Sequence, residues 1–205
     1  MIRLALLDDH PAVLSGLHRV FAQAPDMEVL AAAADEVTLA RELRGRRPDI
    51  LIVDYDPARR DALSLCRRIK SRPDTPRVLV YTAYAGPTLT IAARVAQADG
   101  LVDKSESPRT LIEAIRRIAD GEIIMPKVSR SAFEVAVARL DDSDLPVFAM
   151  LLDGAPVPEI AEGMQTDERK AARQAQQIVA RLRPRLDSGD AFAEDHGSIS
   201  PRRIA

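Results

Sequence analysis

Asp8, Asp9, Asp54 and Lys104 each stand at or just beyond the end of a short apolar run, where phosphoryl chemistry would want a carboxylate or an ammonium. The runs are Ile2-Arg3-Leu4-Ala5-Leu6-Leu7, Ile50-Leu51-Ile52-Val53 and Leu101-Val102-Asp103. Apolar runs separated by stretches of helical period are how a parallel α/β sheet reads, because its strands are buried on both faces. In such a sheet ligands bind beyond the carboxyl ends of the strands, so the four side chains would converge there. Three carboxylates and one ammonium in one pocket repel or stay protonated unless a divalent cation joins them. The chemistry implied is a Mg²⁺-assisted phosphoryl site.

The elements that must position these residues follow from the pattern. Strands are expected over 2–7, 27–33, 50–53, 77–82 and 100–103. Helices are expected over 11–22, 35–46, 59–71, 88–96 and 108–120, the last closed by Gly121 as a C-terminal cap. Five βα units with short loops give an α/β fold, a doubly wound five-stranded parallel sheet with right-handed crossovers covering both faces. Residues 122–139, with Pro126 and a helix starting near Ser131, read as a linker. Three short helices over 142–152, 157–163 and 167–182 then form a small all-α domain spanning 140–186, its last helix ended by Pro184. The polar tail 187–205 reads as disordered.

Composition narrows the function. The formal net charge is −2, so no global basic field advertises nucleic acid and any DNA contact needs a local patch. Cys66 is the single cysteine, which excludes an intramolecular disulfide or a cysteine-rich metal cluster; in its apolar helix it reads as a buried, inert thiol. No run is long enough to span a bilayer and the start has no secretory layout, so the expectation is a cytoplasmic protein without membrane partners. Of 29 basic residues only Lys70, Lys104, Lys127 and Lys170 are lysines. A lysine at position 104 is therefore informative, since a compact ammonium pairs with a phosphoryl oxygen as a point charge.

Taken together, Asp8-Asp9-His10-Pro11, Asp54, Thr82-Ala83 and Asp103-Lys104 make residues 1–121 resemble the receiver domain of two-component response regulators, a flavodoxin-like fold. The resemblance implies that a sensor histidine kinase phosphorylates Asp54. It further implies that Asp9 ligates Mg²⁺ directly, Asp8 through a water, and Asp56 through its backbone carbonyl. Lys104 and Thr82 would each hold a phosphoryl oxygen. Residue by residue, Asp8 or Asp9 could instead cap the following helix, Thr82 could be an ordinary β-branched strand residue, and His10 reads as a loop or helix-start residue. The chain departs from the family at Leu101, where many receivers carry an aromatic switch, and in Tyr55-Asp56-Pro57-Ala58 after the acceptor.

Residues 140–182 resemble the helix-turn-helix of NarL/FixJ (LuxR-type) regulators through Leu140, Val147, Met150-Leu151, Asp153-Gly154, Glu159-Ile160-Ala161, Ile178 and Leu182. In that motif the last helix enters the major groove, which makes Lys170, Arg173, Gln174 and Gln177 candidates for DNA contact and Arg181 a candidate for the phosphates. The implied protein is a transcription regulator that dimerises on activation and binds promoter DNA, not an enzyme beyond accepting and shedding its own phosphoryl group. A different reading also fits. Between Leu140 and Leu186 eight acids face six bases, Ala172 stands where the family is usually basic, and the usual fourth helix is replaced by Pro184 and a polar tail. Such a module would bind a protein partner. A free-standing hydrolase built on the same aspartyl chemistry would need a substrate cap, for which the pattern has no segment.

Overall fold

A computed structural model describes residues 1–56, 61–72 and 74–184. The tail 187–205, Arg185 and Leu186 of the last module, and Pro57-Ala58 after the acceptor lie outside the described residues.

Five strands, β1 (Ile2–Leu7), β2 (Met27–Ala33), β3 (Ile50–Val53), β4 (Arg77–Thr82) and β5 (Gly100–Asp103), alternate with five helices. These are α1 (Pro11–Phe21), α2 (Glu36–Leu43), α3 (Ala62–Lys70), α4 (Pro87–Val95) and α5 (Pro108–Ala119). All strand pairs are parallel, in the order β2-β1-β3-β4-β5. The order reverses between β1 and β3, and that switch point opens a crevice at the strand ends. Leu7 lies opposite Val53, so the residues that follow them, Asp8 and Asp54, leave the sheet side by side. Thr82 lies opposite Asp103, which sets Lys104 next to it.

Strand alternation divides the core. Leu4, Leu6, Ile50, Ile52, Leu79 and Val102 face α1 and α5, where Leu17, Phe21, Leu111, Ile115 and Ile118 cover them. Ala5, Leu7, Leu51, Val53, Val78, Val80 and Leu101 face the other way, toward Leu39, Leu63, Cys66, Leu89 and Ala92. Cys66 is fully buried there, and burial pushes its thiol up to about 12, so it stays protonated and unreactive at neutral pH.

This second core does not stop at the helix layer. Beyond α5 come α6 (Arg130–Val137), a 3₁₀ turn (Asp142–Asp144), α7 (Leu145–Leu152), α8 (Val157–Gly163) and α9 (Glu168–Leu182). Helix α6 lies within the segment read as a linker; Ser129 caps it by accepting from the Ala132 amide. Helix α4 contacts α6, α7 and α9 on the side away from the sheet. It can do so because its residues are small or apolar: Thr90, Ile91, Ala92, Ala93, Val95 and Ala96 are all buried, while Arg94 stays exposed. Ala136, Val147, Phe148, Leu151, Ile178 and Leu182 join the same continuous cluster. Phe148 stacks on Phe133 of α6 in a tilted pair, centroids 5.7 Å apart.

Polar contacts register the two halves. Gln97, just after α4, donates through Nε2 to the Ala155 carbonyl at 2.8 Å, and Arg94 Nε donates to the Leu152 carbonyl at 3.3 Å. Arg183 at the end of α9 pairs with Asp61 and donates to Ser64 Oγ at 3.0 Å, at the start of α3. Among the described residues no helix is long and apolar enough to cross a membrane.

Candidate phosphoacceptor site

The crevice above β1, β3 and β5 holds the expected residues, and the backbone explains how. Asp8 Oδ1 accepts the His10 amide at 2.8 Å, a short turn that carries the chain from β1 into α1. The capping alternative for Asp8 is not realised, since the N-cap of α1 is His10, without a side-chain cap bond; Asp8 holds the turn before the helix with one oxygen and turns the other into the pocket. That oxygen, Oδ2, lies 2.7 Å from Lys104 Nζ. The same ammonium lies 2.8 Å from Asp54 Oδ1. Asp8 and Asp54 are buried and Asp9 partly so. Asp56 is half-buried two residues beyond Asp54, and its side chain is outside the group of converging ligand atoms.

The electrostatics are those of a site short of positive charge. Burial raises the Asp54 carboxyl above the usual carboxylate range, with the Asp8 charge adding to the rise and Lys104 opposing it. Burial alone would lower Lys104, but its hydrogen bonds to Asp54 and Asp8 outweigh that and raise it. Asp54 Oδ2 is buried and accepts no hydrogen bond. A buried carboxylate oxygen left in this state is costly unless something cationic meets it. Asp8, Asp9, His10 and Asp54 each offer one ligand atom, all within 4.8 Å of one another. That donor set, rich in carboxylate oxygen, fits a small divalent cation such as Mg²⁺.

Thr82 is fully buried at the end of β4, its hydroxyl donating to the Tyr55 carbonyl at 2.7 Å and accepting the Tyr84 amide at 3.1 Å. It is thus more than a β-branched strand residue, since it ties the loop after Asp54 to the loop before α4. Lys104 Nζ also lies 5.9 Å from the centre of the Tyr81 ring. Leu101 is buried in the sheet.

Two residues gain importance beyond the sequence reading. His10, expected as a helix-start residue, is the N-cap of α1, yet its side chain makes no capping bond. Its ring turns into the pocket instead, Nδ1 lying 3.0 Å from Asp8 Oδ1 and 3.2 Å from Asp9 Oδ1. Tyr55, next to the acceptor, is wholly buried and its hydroxyl is pushed up to about 12 by that burial. Its adjacency to Asp54 was the one available signal.

The last helix separates its candidate residues. Lys170, Arg173 and Gln177 are exposed on α9, Lys170 near Asp167 at 3.6 Å. Gln174 and Arg181 are turned toward the module itself. Gln174 Nε2 donates to the Ser143 carbonyl at 2.9 Å and to Asp144 Oδ1 at 3.2 Å. Arg181 Nη1 pairs with Asp141 at 2.5 Å and with buried Asp144 at 2.6 Å. Asp167 caps the helix by accepting from the Lys170 amide.

Comparison with known proteins agrees with this geometry. Residues 4–116 match the response regulator receiver domain. The DNA-binding transcriptional activator DevR/DosR of Mycobacterium tuberculosis is 23% identical over 89% of this chain and 88% of its own length. The nitrate/nitrite response regulator NarL of Escherichia coli K12 is 22% identical over 80% of this chain and 82% of its own. A protein-glutamate methylesterase/glutaminase of Chromobacterium violaceum is 26% identical, but the match spans only 41% of that protein. Among solved structures, RcsB of Salmonella enterica serovar Typhimurium, bound to promoter rprA with the phosphomimetic BeF₃⁻, has the same fold: TM-score 0.57, 23% identity, 89% of this chain and 92% of that one. Strand order, the polar strand ends and a family match over more than half the sequence converge on one conclusion: the chain belongs to the response regulator receiver domain family.

Proposed function

We propose that this protein is a transcriptional response regulator of NarL/FixJ type in which Asp54 accepts a phosphoryl group from a sensor histidine kinase. The observation that carries the reading is the Lys104 ammonium held between Asp8 and Asp54 beside a buried Asp54 oxygen that no donor meets. In the reaction an Asp54 oxygen forms a bond to phosphorus while the phosphorus–nitrogen bond of the donor phosphohistidine breaks and its electron pair leaves with the imidazole. Lys104 orients and neutralises the phosphoryl oxygens. Asp8, Asp9, Asp54 and the Asp56 carbonyl would hold Mg²⁺, which when bound offsets the negative charge gathered between donor and acceptor.

The route to the output module starts at Thr82. Drawing its hydroxyl to a phosphoryl oxygen removes the donor now on the Tyr55 carbonyl and pulls on the loop that leads into α4. Helix α4 carries the packed output module, so the signal needs no aromatic at position 101. The proposed division is a receiver over 1–121, a linker over 122–139 and an output domain over 140–186. The output domain binds promoter DNA as a homodimer on activation, with Lys170, Arg173 and Gln177 as the exposed contacts on α9. Relatives that are DNA-binding activators or were solved on promoter DNA support this reading.

The test is size and affinity for genomic promoter fragments with and without beryllofluoride and Mg²⁺, comparing wild type with Asp54→Ala. Salt-sensitive DNA binding that rises with beryllofluoride in wild type alone supports the proposal. A second reading, in which the output domain binds a protein partner, is favoured by Gln174 and Arg181 being committed to Asp144 and Asp141. Binding to no fragment under any condition would select it.

A further inference from the structure

We propose that His10 is a nitrogen ligand of the phosphoacceptor pocket's cation, tilting the site from Mg²⁺ toward Mn²⁺. This rests on reading the pocket as a divalent-cation site. Asp8 and Asp54 each divide their two oxygens between opposite sides. Asp8 Oδ2 and Asp54 Oδ1 face the Lys104 ammonium at 2.7 and 2.8 Å. Asp8 Oδ1 and Asp54 Oδ2 face the His10 ring, with Asp9 Oδ1 beside them. A cation repelled by Lys104 therefore has its place on the His10 side.

The spacing there is that of a coordination shell. His10 Nδ1 lies 3.0 Å from Asp8 Oδ1, 3.2 Å from Asp9 Oδ1 and 3.9 Å from Asp54 Oδ2. An octahedral ion with ligands at about 2.1 Å sets neighbouring ligand atoms about 3.0 Å apart and opposite ones about 4.2 Å apart. The first two distances match octahedral edges and the third approaches a diagonal. An independent mark is that Asp54, 4% exposed, aims Oδ2 into this space with no hydrogen bond to it. His10 Nδ1 shares a hydrogen bond with Asp8 Oδ1 at 3.0 Å, which a bound ion would replace with two metal–ligand bonds, and no helix cap holds the ring, since its side chain makes no capping bond. Carboxylate and water suit Mg²⁺, whereas an imidazole in the shell favours first-row transition ions, so the donor set here is mixed by design of its residues.

Pulsed electron paramagnetic resonance on the full chain loaded with Mn²⁺ reads the ligand directly. The expected result is nitrogen coupling from a bound imidazole in wild type that disappears in His10→Gln. In parallel, calorimetric titrations with Mn²⁺ and Mg²⁺ should show the Mn²⁺-over-Mg²⁺ preference falling about tenfold in His10→Gln. Mn²⁺ bound in an Asp54-dependent manner but without nitrogen coupling would overturn the role of His10 and leave the cation site standing. Absence of any Asp54-dependent Mn²⁺ or Mg²⁺ binding would overturn both.

Discussion

The crevice above the sheet and the inward-turned side of α9 both gather polar side chains, but they hold them differently. In the crevice, groups from β1, β3 and β5 are buried together, with Asp54 Oδ2 accepting no hydrogen bond and the Asp54 carboxyl raised by desolvation. On α9, Arg181 and Gln174 are satisfied by Asp141, Asp144 and the Ser143 carbonyl of their own module. The first region stores electrostatic tension that a cation and a phosphoryl group would relieve; in the second, Arg181 and Gln174 already have their partners. A buried, unsatisfied and perturbed group is a candidate for function, whereas a satisfied one accounts for structure.

The sharpest way to break this contrast is to remove the tension. Asp54→Asn should abolish the mass gain of one phosphoryl group after treatment with acetyl phosphate and Mg²⁺. Lys104→Ala should slow uptake about a hundredfold or more, the effect of losing one preorganised charge on transferring oxygens. Arg181→Ala should leave uptake unchanged, because it touches only the output module. Uptake that persists in Asp54→Asn would move the acceptor elsewhere and dissolve the comparison.

A second contrast concerns the core that joins the two regions. Phe148 is 3% exposed and stacked on Phe133 in the cluster that continues through α4 into the sheet. Phe148→Ala should cost about 3–5 kcal/mol. The loss should appear as one lowered calorimetric transition, because α4 is buried from both sides and couples the halves. Two separate transitions, only one of them moved, would show the halves to be energetically independent. Within the sheet, Gly100→Ala puts a Cβ 2.6 Å from Ile118 Cδ1 and 2.9 Å from Leu79 Cδ1. Both neighbours are ends of flexible side chains, so the expected loss is smaller, about 1–3 kcal/mol by urea titration.

How much of this was legible in the sequence depended on whether the signal was local. Strands β1, β3, β4 and β5 read directly, because strands buried on both faces are nearly continuous apolar runs, and Asp8, Asp54 and Lys104 follow directly on three of them. Helices α7 to α9 read from their periodicity and turns. The docking of α7 and α9 on α4 did not, since an Ala-rich helix looks the same whether solvent or another helix covers its outer face. The turning of His10 into the pocket was equally hidden: its position as a helix-start residue is local, while the ring direction depends on carboxylates contributed by β1 and β3. For Gln174 and Arg181 the family frame pointed outward, and only the three-dimensional closeness of Asp144 turned them in.

The smallest expected effect lies far from both regions, in the exposed pair between Asp26, before β2, and Arg116 of α5, with contacts at 2.8 and 2.9 Å. The Arg116 guanidinium pulls the Asp26 carboxyl down to about 2, below the roughly 3.9 of an unpaired aspartate. A carboxyl depressed in the folded state contributes stability above its unfolded value and loses it as pH falls toward the folded one. The wild-type chain should therefore lose this contribution between about pH 4 and pH 2, and Asp26→Asn should flatten that part of a denaturation-versus-pH curve while leaving neutral pH nearly untouched. Because the pair is open to solvent, raising salt should shrink the difference between the two proteins. A salt-insensitive difference would mean that Asp26 acts through something other than Arg116.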